Sequence, residues 1–183
     1  MKLAHEKLLV YQVNRNKDPE AFSGLYDLYV DDIFKFVFYK VSNWEQAEDL
    51  TSEVFLKTWQ KISRSDEEIK NIRALFYKIA RNLIIDFYRQ SGKEKNISLN
   101  EVVVDDRQLV VDEQQLDEFQ LSGDKIVLNQ ALQKLKEDYR EAIVLKYINE
   151  FSVAEIAEVM QRSKGSVRVL IHRALKALRE ILK

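Results

Sequence analysis

Apolar side chains recur at helical spacing along most of the 183-residue chain, and the rhythm is lost in one stretch past its middle. Helical stretches fill the first half. Over residues 18–40, Phe22, Leu25, Tyr26, Tyr29, Ile33, Phe36 and Val37 fall three or four apart, the spacing of one helix face. Asp18-Pro19 opens that helix with a capping carboxylate, followed by a proline whose missing N–H is not needed in a first turn. Ser42-x-x-Glu45 reads as a capping box for the next helix, which carries Ala47, Leu50, Val54, Phe55 and Trp59. Residues 61–71 are polar and read as a loop with a short turn. A last helix covers about 72–90, and Ser91-Gly92 ends it.

Residues 93–123 lose the period. Val102-Val103-Val104 and Val110-Val111 are apolar patches among acids, too brief for a strand, so the stretch reads as a linker. The helical rhythm returns at Asp124. Ile126, Val127, Ala131, Leu132 and Leu135 mark one helix, and Ala142, Ile143, Tyr147 and Ile148 a second. Ser152-x-x-Glu155 is another capping box, for a short helix ending near Met160. A final helix from about Gly165 to Leu182 packs through Val167, Leu170, Ile171, Ala174, Leu175, Leu178 and Ile181. The expected fold is all-α: two small helical domains, 1–92 and 124–183, joined by a flexible tether at 93–123.

Composition narrows the chemistry. With four Gly and one Pro the chain lacks the punctuation of an all-β fold. The absence of cysteine excludes disulfides, thiolate metal sites and cysteine nucleophiles, and the two histidines, His5 and His172, lie far apart. No apolar run suits a membrane span, and the charged N-terminus has no small-residue cleavage site, so a cytoplasmic protein without membrane insertion is expected. Charge is unevenly spread: residues 1–90 are neutral, 91–124 carry a net −6 and 125–183 a net +5. A basic C-terminal unit on an acidic tether points toward nucleic acid.

Three stretches carry candidate chemistry. Residues 152–176 read as a helix-turn-helix: a short helix, a four-residue turn and a basic second helix. Ala157 supplies the small contact residue, and Ile156, Met160, Val167 and Leu170 fill the angle. The second helix exposes Arg168, His172, Arg173, Lys176 and Arg179, cations that suit a major groove. Gln161 stands where such turns often carry Gly; a positive φ there costs about a kcal/mol. In the stretch 47–59, Asp49 and Glu53 share a helix face with Glu45 and Glu48 nearby. A helical-bundle metal cluster would need histidine from facing helices, and none is available, so no metal or cofactor is expected. In the stretch 72–89, Arg73, Lys78, Arg81 and Arg89 alternate with Phe76, Tyr77, Phe87 and Tyr88. Such a surface can hold a single strand, cations on phosphates and rings on bases; the same pattern also suits aromatics in a core with cations in water.

Together and in this order, the three stretches resemble the sigma factors of bacterial RNA polymerase, sigma-70 family, in the small extracytoplasmic-function (ECF) branch. AEDLTSEVFLKTW resembles the helix that docks on the β′ clamp of polymerase, ALFYKIARNLIIDFYR the helix that binds and melts the −10 promoter element, and YREAIVLKYINEFSVAEIAEVMQRSKGSVRVLIHRALKALR the domain that reads the −35 element. The resemblance implies a β′ contact through Asp49, Leu50, Glu53 and Phe55. It implies −10 contacts among Arg73, Tyr77, Arg81, Asn82, Asp86, Tyr88 and Arg89, with residues 61–71 as the loop that accepts a flipped-out base. The −35 contacts fall on Lys146, Arg162, Ser166, Arg168, Val169, His172, Arg173 and Lys176. Val169, and Val153-Ala154, stand where polar residues are common in the family, so base preference departs there. The implied partners are core RNA polymerase (β′ clamp and β flap) and promoter DNA, with an anti-sigma factor admitted as a third, and the free chain is expected to be monomeric.

Other readings remain beside this one. A dimeric helix-turn-helix regulator with an N-terminal sensor or dimerisation domain accounts equally for residues 125–183 but makes the basic-aromatic helix at 72–89 a coincidence. A helical adaptor leaves the basic recognition helix without a purpose. For an enzyme, no nucleophile–base pair, glycine-rich phosphate loop or metal set can be assembled.

Overall fold

The computed structural model describes residues 2–65, 67–90 and 123–183. The tether at 93–123 and the stop at Ser91-Gly92 lie outside or at the edge of these, as nearly all of the acidic stretch does. Four helices make the N-terminal domain: α1 (Lys2–Asn16), α2 (Pro19–Val41), α3 (Trp44–Arg64) and α4 (Ile72–Gln90). Asp18 caps α2 as its sequence suggests, accepting from the Glu20 and Ala21 N–H groups at 2.9 and 3.4 Å. The junction of α2 and α3 differs from the expected capping box. Ser42 sits in the left-handed region at φ 53° and closes α2, its N–H donating to the Phe38 carbonyl at 2.7 Å. The cap of α3 passes to Asn43, whose side chain accepts from the Gln46 N–H at 2.9 Å. Helix α3 also runs on to Arg64, through the first part of the expected loop. Ile62 is the reason: it lies one turn beyond Thr58 on the buried stripe of Ala47, Leu50, Val54 and Phe55.

Rings fill the space between these helices. Phe76 of α4 packs against Phe22, Tyr29 and Phe55, with centroids 6.3, 5.4 and 4.8 Å away. Helix α1 seats Leu9 and Val13 on α2 at Gly24, where a Cβ would come within 3.0 Å of a Leu9 methyl. The Asn14 amide then ties the loop before α4, donating to the Ile69 carbonyl and accepting from its N–H, both at 3.0 Å.

The C-terminal domain runs α5 (Gly123–Gln133), α6 (Glu137–Ile143), a π-helical turn (Val144–Ile148), α7 (Val153–Val159) and α8 (Lys164–Ile181). Val127 and Tyr147, counted among the apolar markers, point outward at 54% and 52% exposure, while Ala131, Leu132, Leu135, Ala142 and Ile143 are buried. The capping box of Ser152 and Glu155 is present in both directions, at 3.3 and 2.8 Å. Gln161 takes the left-handed conformation, at φ 54°, which lets the Arg162 N–H reach back to the Ala157 carbonyl at 2.9 Å. Ser163 then caps α8, accepting from the Ser166 N–H at 3.2 Å. Among the described residues no helix is long and apolar enough to cross a membrane.

The two domains pack on one another through a buried ionic centre. Lys40, 1% exposed at the end of α2, pairs with Glu137 and, at 3.3 Å, with Glu141 of α6. Glu141 also accepts from Arg81 of α4 at 2.9 Å. The Arg140 guanidinium donates to the carbonyls of Leu132, Gln133 and Leu135 behind α5, and to that of Lys40 at 3.2 Å, so it closes the carboxyl ends of two helices. Burial alone pulls the Lys40 ammonium down, but the Glu137 and Glu141 carboxylates outweigh it and hold it above the ordinary lysine value. Burial likewise pushes Glu137 up, and Lys40 and Arg140 outweigh it, holding the carboxyl below the usual range.

Lys40→Met leaves Glu141 in the interface with Arg81 as its remaining ion pair, and should cost about 3 kcal/mol in urea unfolding, because breaking a buried pair strands the other charge. Glu137 and Glu155 are both held below the usual carboxylate range, so their contribution is present above about pH 4.3 and is lost as pH falls through their lowered values. Thermal melting should therefore be level near neutrality and fall in acid below that point. Glu137→Gln combined with Glu155→Gln should flatten the acid limb.

Candidate nucleic-acid interface

Helix α4 presents two faces. Its cap is Asn71, which accepts from the Ala74 N–H at 3.0 Å, and its apolar stripe of Ile72, Ala74, Phe76, Ala80, Leu83 and Ile84 holds it in the N-terminal core. On one side Arg73, Tyr77 and Arg81 recur four apart and meet the C-terminal domain. Tyr77 is fully buried, its ring 5.0 Å from Phe36 and 4.6 Å from Phe151, and burial raises its hydroxyl above the usual tyrosine value. The Arg73 guanidinium lies over Phe151 at 3.9 Å, donates to the Asn149 carbonyl and pairs with Glu155 at 3.4 Å. Lys78 pairs with Glu158 at 3.1 Å. Tyr88 donates to the Lys40 carbonyl at 2.8 Å. Four candidates for strand contact, Arg73, Tyr77, Arg81 and Tyr88, thus spend their polar atoms or rings inside the molecule.

On the other side Asn82 and Asp86 are exposed and line an open groove of about 580 Å³. Lys57, Lys61 and Arg64 of α3 form its opposite bank, cations that the sequence analysis did not single out. Arg89 is exposed at the end of α4 and pairs with Asp86 at 3.5 Å. A second cavity of about 370 Å³ is lined by Ser65, Glu67, Ile69 and Asn71 of the 61–71 segment, by Lys78, and by Glu158 of α7. Glu158 reaches it by accepting from the Asn71 side chain at 3.1 Å as well as from Lys78.

The helix-turn-helix holds its reading face open. Val167, Leu170, Ile171, Ala174 and Leu178 bury one side of α8, which turns Arg168, Val169, His172, Arg173 and Lys176 to solvent together with Ser166. Val169 is 50% exposed amid these cations and offers a methyl-sized apolar contact. Two candidates differ from the rest. The Lys146 ammonium donates to the Phe151 carbonyl at 3.2 Å, and Arg162 is ion-paired with Asp138 of α6, so both brace the motif.

Helix α3 sorts its candidates in the same manner. Asp49 is exposed and Glu53 half-exposed, paired with Lys57 at 3.0 Å, but Leu50 and Phe55 are buried at 7% and 4%. These two fix the helix on its domain and do not offer a docking surface. The face carries Leu56 instead, 56% exposed and seven residues after Asp49. An apolar residue on the polar side of the helical period was the available signal. Tyr26, 41% exposed, lies against Phe55 with centroids 4.6 Å apart.

Comparison with known proteins matches two family models in order: "Sigma-70 region 2" over residues 25–94 and "Sigma-70, region 4" over residues 125–178. The chain is 33% identical to the ECF RNA polymerase sigma factor SigW of Bacillus subtilis, over 97% of this chain and 96% of that protein. It is 30% identical to the ECF RNA polymerase sigma factor BldN of Streptomyces coelicolor, over 90% of this chain but only 61% of that longer protein. Among solved structures, the sigma factor RpoE of Bartonella quintana, crystallised with the anti-sigma factor NepR, matches at a TM-score of 0.67 and 25% identity, covering 88% of this chain and 96% of that one.

Proposed function

The chain belongs to the ECF branch of the sigma-70 family, and from that premise we propose that it joins core RNA polymerase, recognises −10 and −35 promoter elements and helps open the duplex for transcription initiation. The observation that carries this reading is the placement of an open, basic recognition helix and an acidic–apolar α3 face at opposite ends of a chain matched by both sigma regions in order. In this reading residues 1–92 bind polymerase and the −10 element, 93–123 form the acidic tether, and 124–183 read the −35 element. Arg168, Ser166, Val169, His172, Arg173 and Lys176 enter the major groove, with arginine suited to paired contacts on guanine or to phosphate. Asn82 and Asp86, the latter paired with Arg89, border the groove that leads toward the 61–71 segment, where an unstacked base could be read on its exposed edge.

Polymerase supplies the catalysis and this chain the address, so it acts as no enzyme in its own right and works in the cytoplasm. Tethering makes the second promoter contact effectively intramolecular once the first is made. The Bartonella relative was solved with an anti-sigma factor. A partner of that kind suits the role proposed for this chain, whose free form is read as a monomer.

The docking face is Asp49, Glu53 and Leu56. On size exclusion the chain should co-elute with bacterial core polymerase, and Asp49→Arg with Leu56→Ala should abolish co-elution while leaving the thermal melt unchanged, since both side chains are exposed. A wild-type chain that elutes apart from polymerase, as a dimer that still binds duplex DNA, would return the conventional helix-turn-helix regulator in place of the sigma factor.

A further inference from the structure

Helix α1 precedes the segment matched to sigma region 2, which begins at residue 25, yet its carboxyl end reaches a loop far along the chain. Leu9 and Val13 seat the helix on α2, and two polar side chains three apart, Asn14 and Lys17, bond to residues 65 and 69. The Asn14 amide makes two bonds to one residue. Its Nδ2 donates to the Ile69 carbonyl and its Oδ1 accepts from the Ile69 N–H, both at 3.0 Å. The Lys17 ammonium donates to the Ser65 carbonyl at 2.7 Å, just past the carboxyl end of α3, where the helix dipole also favours a cation. Lys17 is itself left-handed, at φ 51°, and its N–H closes α1 on the Val13 carbonyl at 3.1 Å. Glycine would relieve that strain and lose the ammonium.

We propose that α1 is a positioning element for base capture: Asn14 and Lys17 hold the 61–71 segment in the shape that receives the flipped-out base, a role that rests on the sigma-factor reading. A pocket built on a connecting segment discriminates well only if the segment is already ordered, and order supplied by folding does not subtract from binding. Ser65 and Ile69 both line the 370 Å³ cavity, and α1 holds each of them through its main chain. Glu67 and Glu68, between the two anchors, stay exposed, as does Lys70 beyond them. The anchors thus fix the main chain and leave the side chains of the segment to meet a ligand. Its far end is fixed separately, by Asn71 capping α4 on the Ala74 N–H. Asn14 and Lys17 themselves act through the loop and need not touch DNA, which makes them positioning residues.

The test uses the full chain assembled with bacterial core polymerase, and the probe is a duplex pool randomised over about four helical turns. Wild type, Asn14→Ala, Lys17→Met and the double variant each select from the pool, and sequencing gives the base preference at every position. The double variant should lose about fivefold of its discrimination at one or two adjacent positions of the −10 segment, the low end of what a base pair is worth, and keep its −35 segment unchanged. Asn14→Asp still accepts from the Ile69 N–H but no longer donates to the Ile69 carbonyl, so it should fall between, and it serves alone if the double variant unfolds. Lys17→Arg keeps the cation and should select as the wild type does, and so should Arg15→Ala, which is exposed on the same helix. An α1 that only stabilises its domain would weaken preference at every position alike, and that result overturns the proposal. A double variant whose pool matches the wild type's overturns it too. Co-elution with polymerase is scored first. A wild-type chain that fails it removes the sigma-factor reading and the positioning role together, whereas co-elution with an unchanged pool removes the positioning role alone.

Discussion

Lys40 sits where three helix ends converge. Its ammonium is sealed between Glu137 in the first turn of α6 and Glu141 one turn on, and its carbonyl accepts from both Tyr88 and Arg140. The arrangement suits the backbone as well as the side chains: carboxylates gather at the amino end of α6, and cations at the carboxyl ends of α2 and α5. A charge this deeply buried is tolerated only with complete pairing, so the contact specifies one docking geometry. The carbonyls of Tyr39 and Asp32, held by Gln133 and Asn149 at 2.9 and 3.0 Å, extend the same seam along α2.

That geometry decides which functional surfaces are available. The side of α4 facing the seam is consumed by it, while the side facing α3 stays open as a groove with Lys57, Lys61 and Arg64 on its far bank. The recognition helix lies away from the seam and keeps its cations in water. One interaction thus leaves the seam side of α4 covered and the basic face of α8 open.

Much of the fold was legible in the sequence because it is local. Asp18-Pro19, the Ser152 and Glu155 box and the strained Gln161 turn are short-range devices whose chemistry is written in adjacent residues. The α2–α3 junction was misread because Ser42 and Asn43 are both competent caps, and the left-handed exit of α2 decides between them. Period alone told which residues share a helix face but not what covers it. Leu50 and Phe55 carry the motif yet lie in the core, whereas Leu56 lies outside it. Over residues 72–89 the core takes Phe76 and Tyr77, and Arg73, Lys78 and Arg81 meet the carboxylates of a second domain. Those carboxylates stand sixty or more residues away in the chain, as Glu141 does from Arg81, and no periodicity links them.

The placement of both surfaces depends on the closed seam being the form of the free chain. Because the chain has no cysteine, Ser23→Cys on α2 and Gln130→Cys on α5, both exposed, would carry a pair of spin labels without background. Their separation can be read by pulsed electron–electron resonance. A single narrow distance in the free chain is the predicted result. A broad distribution in the free chain would contradict it.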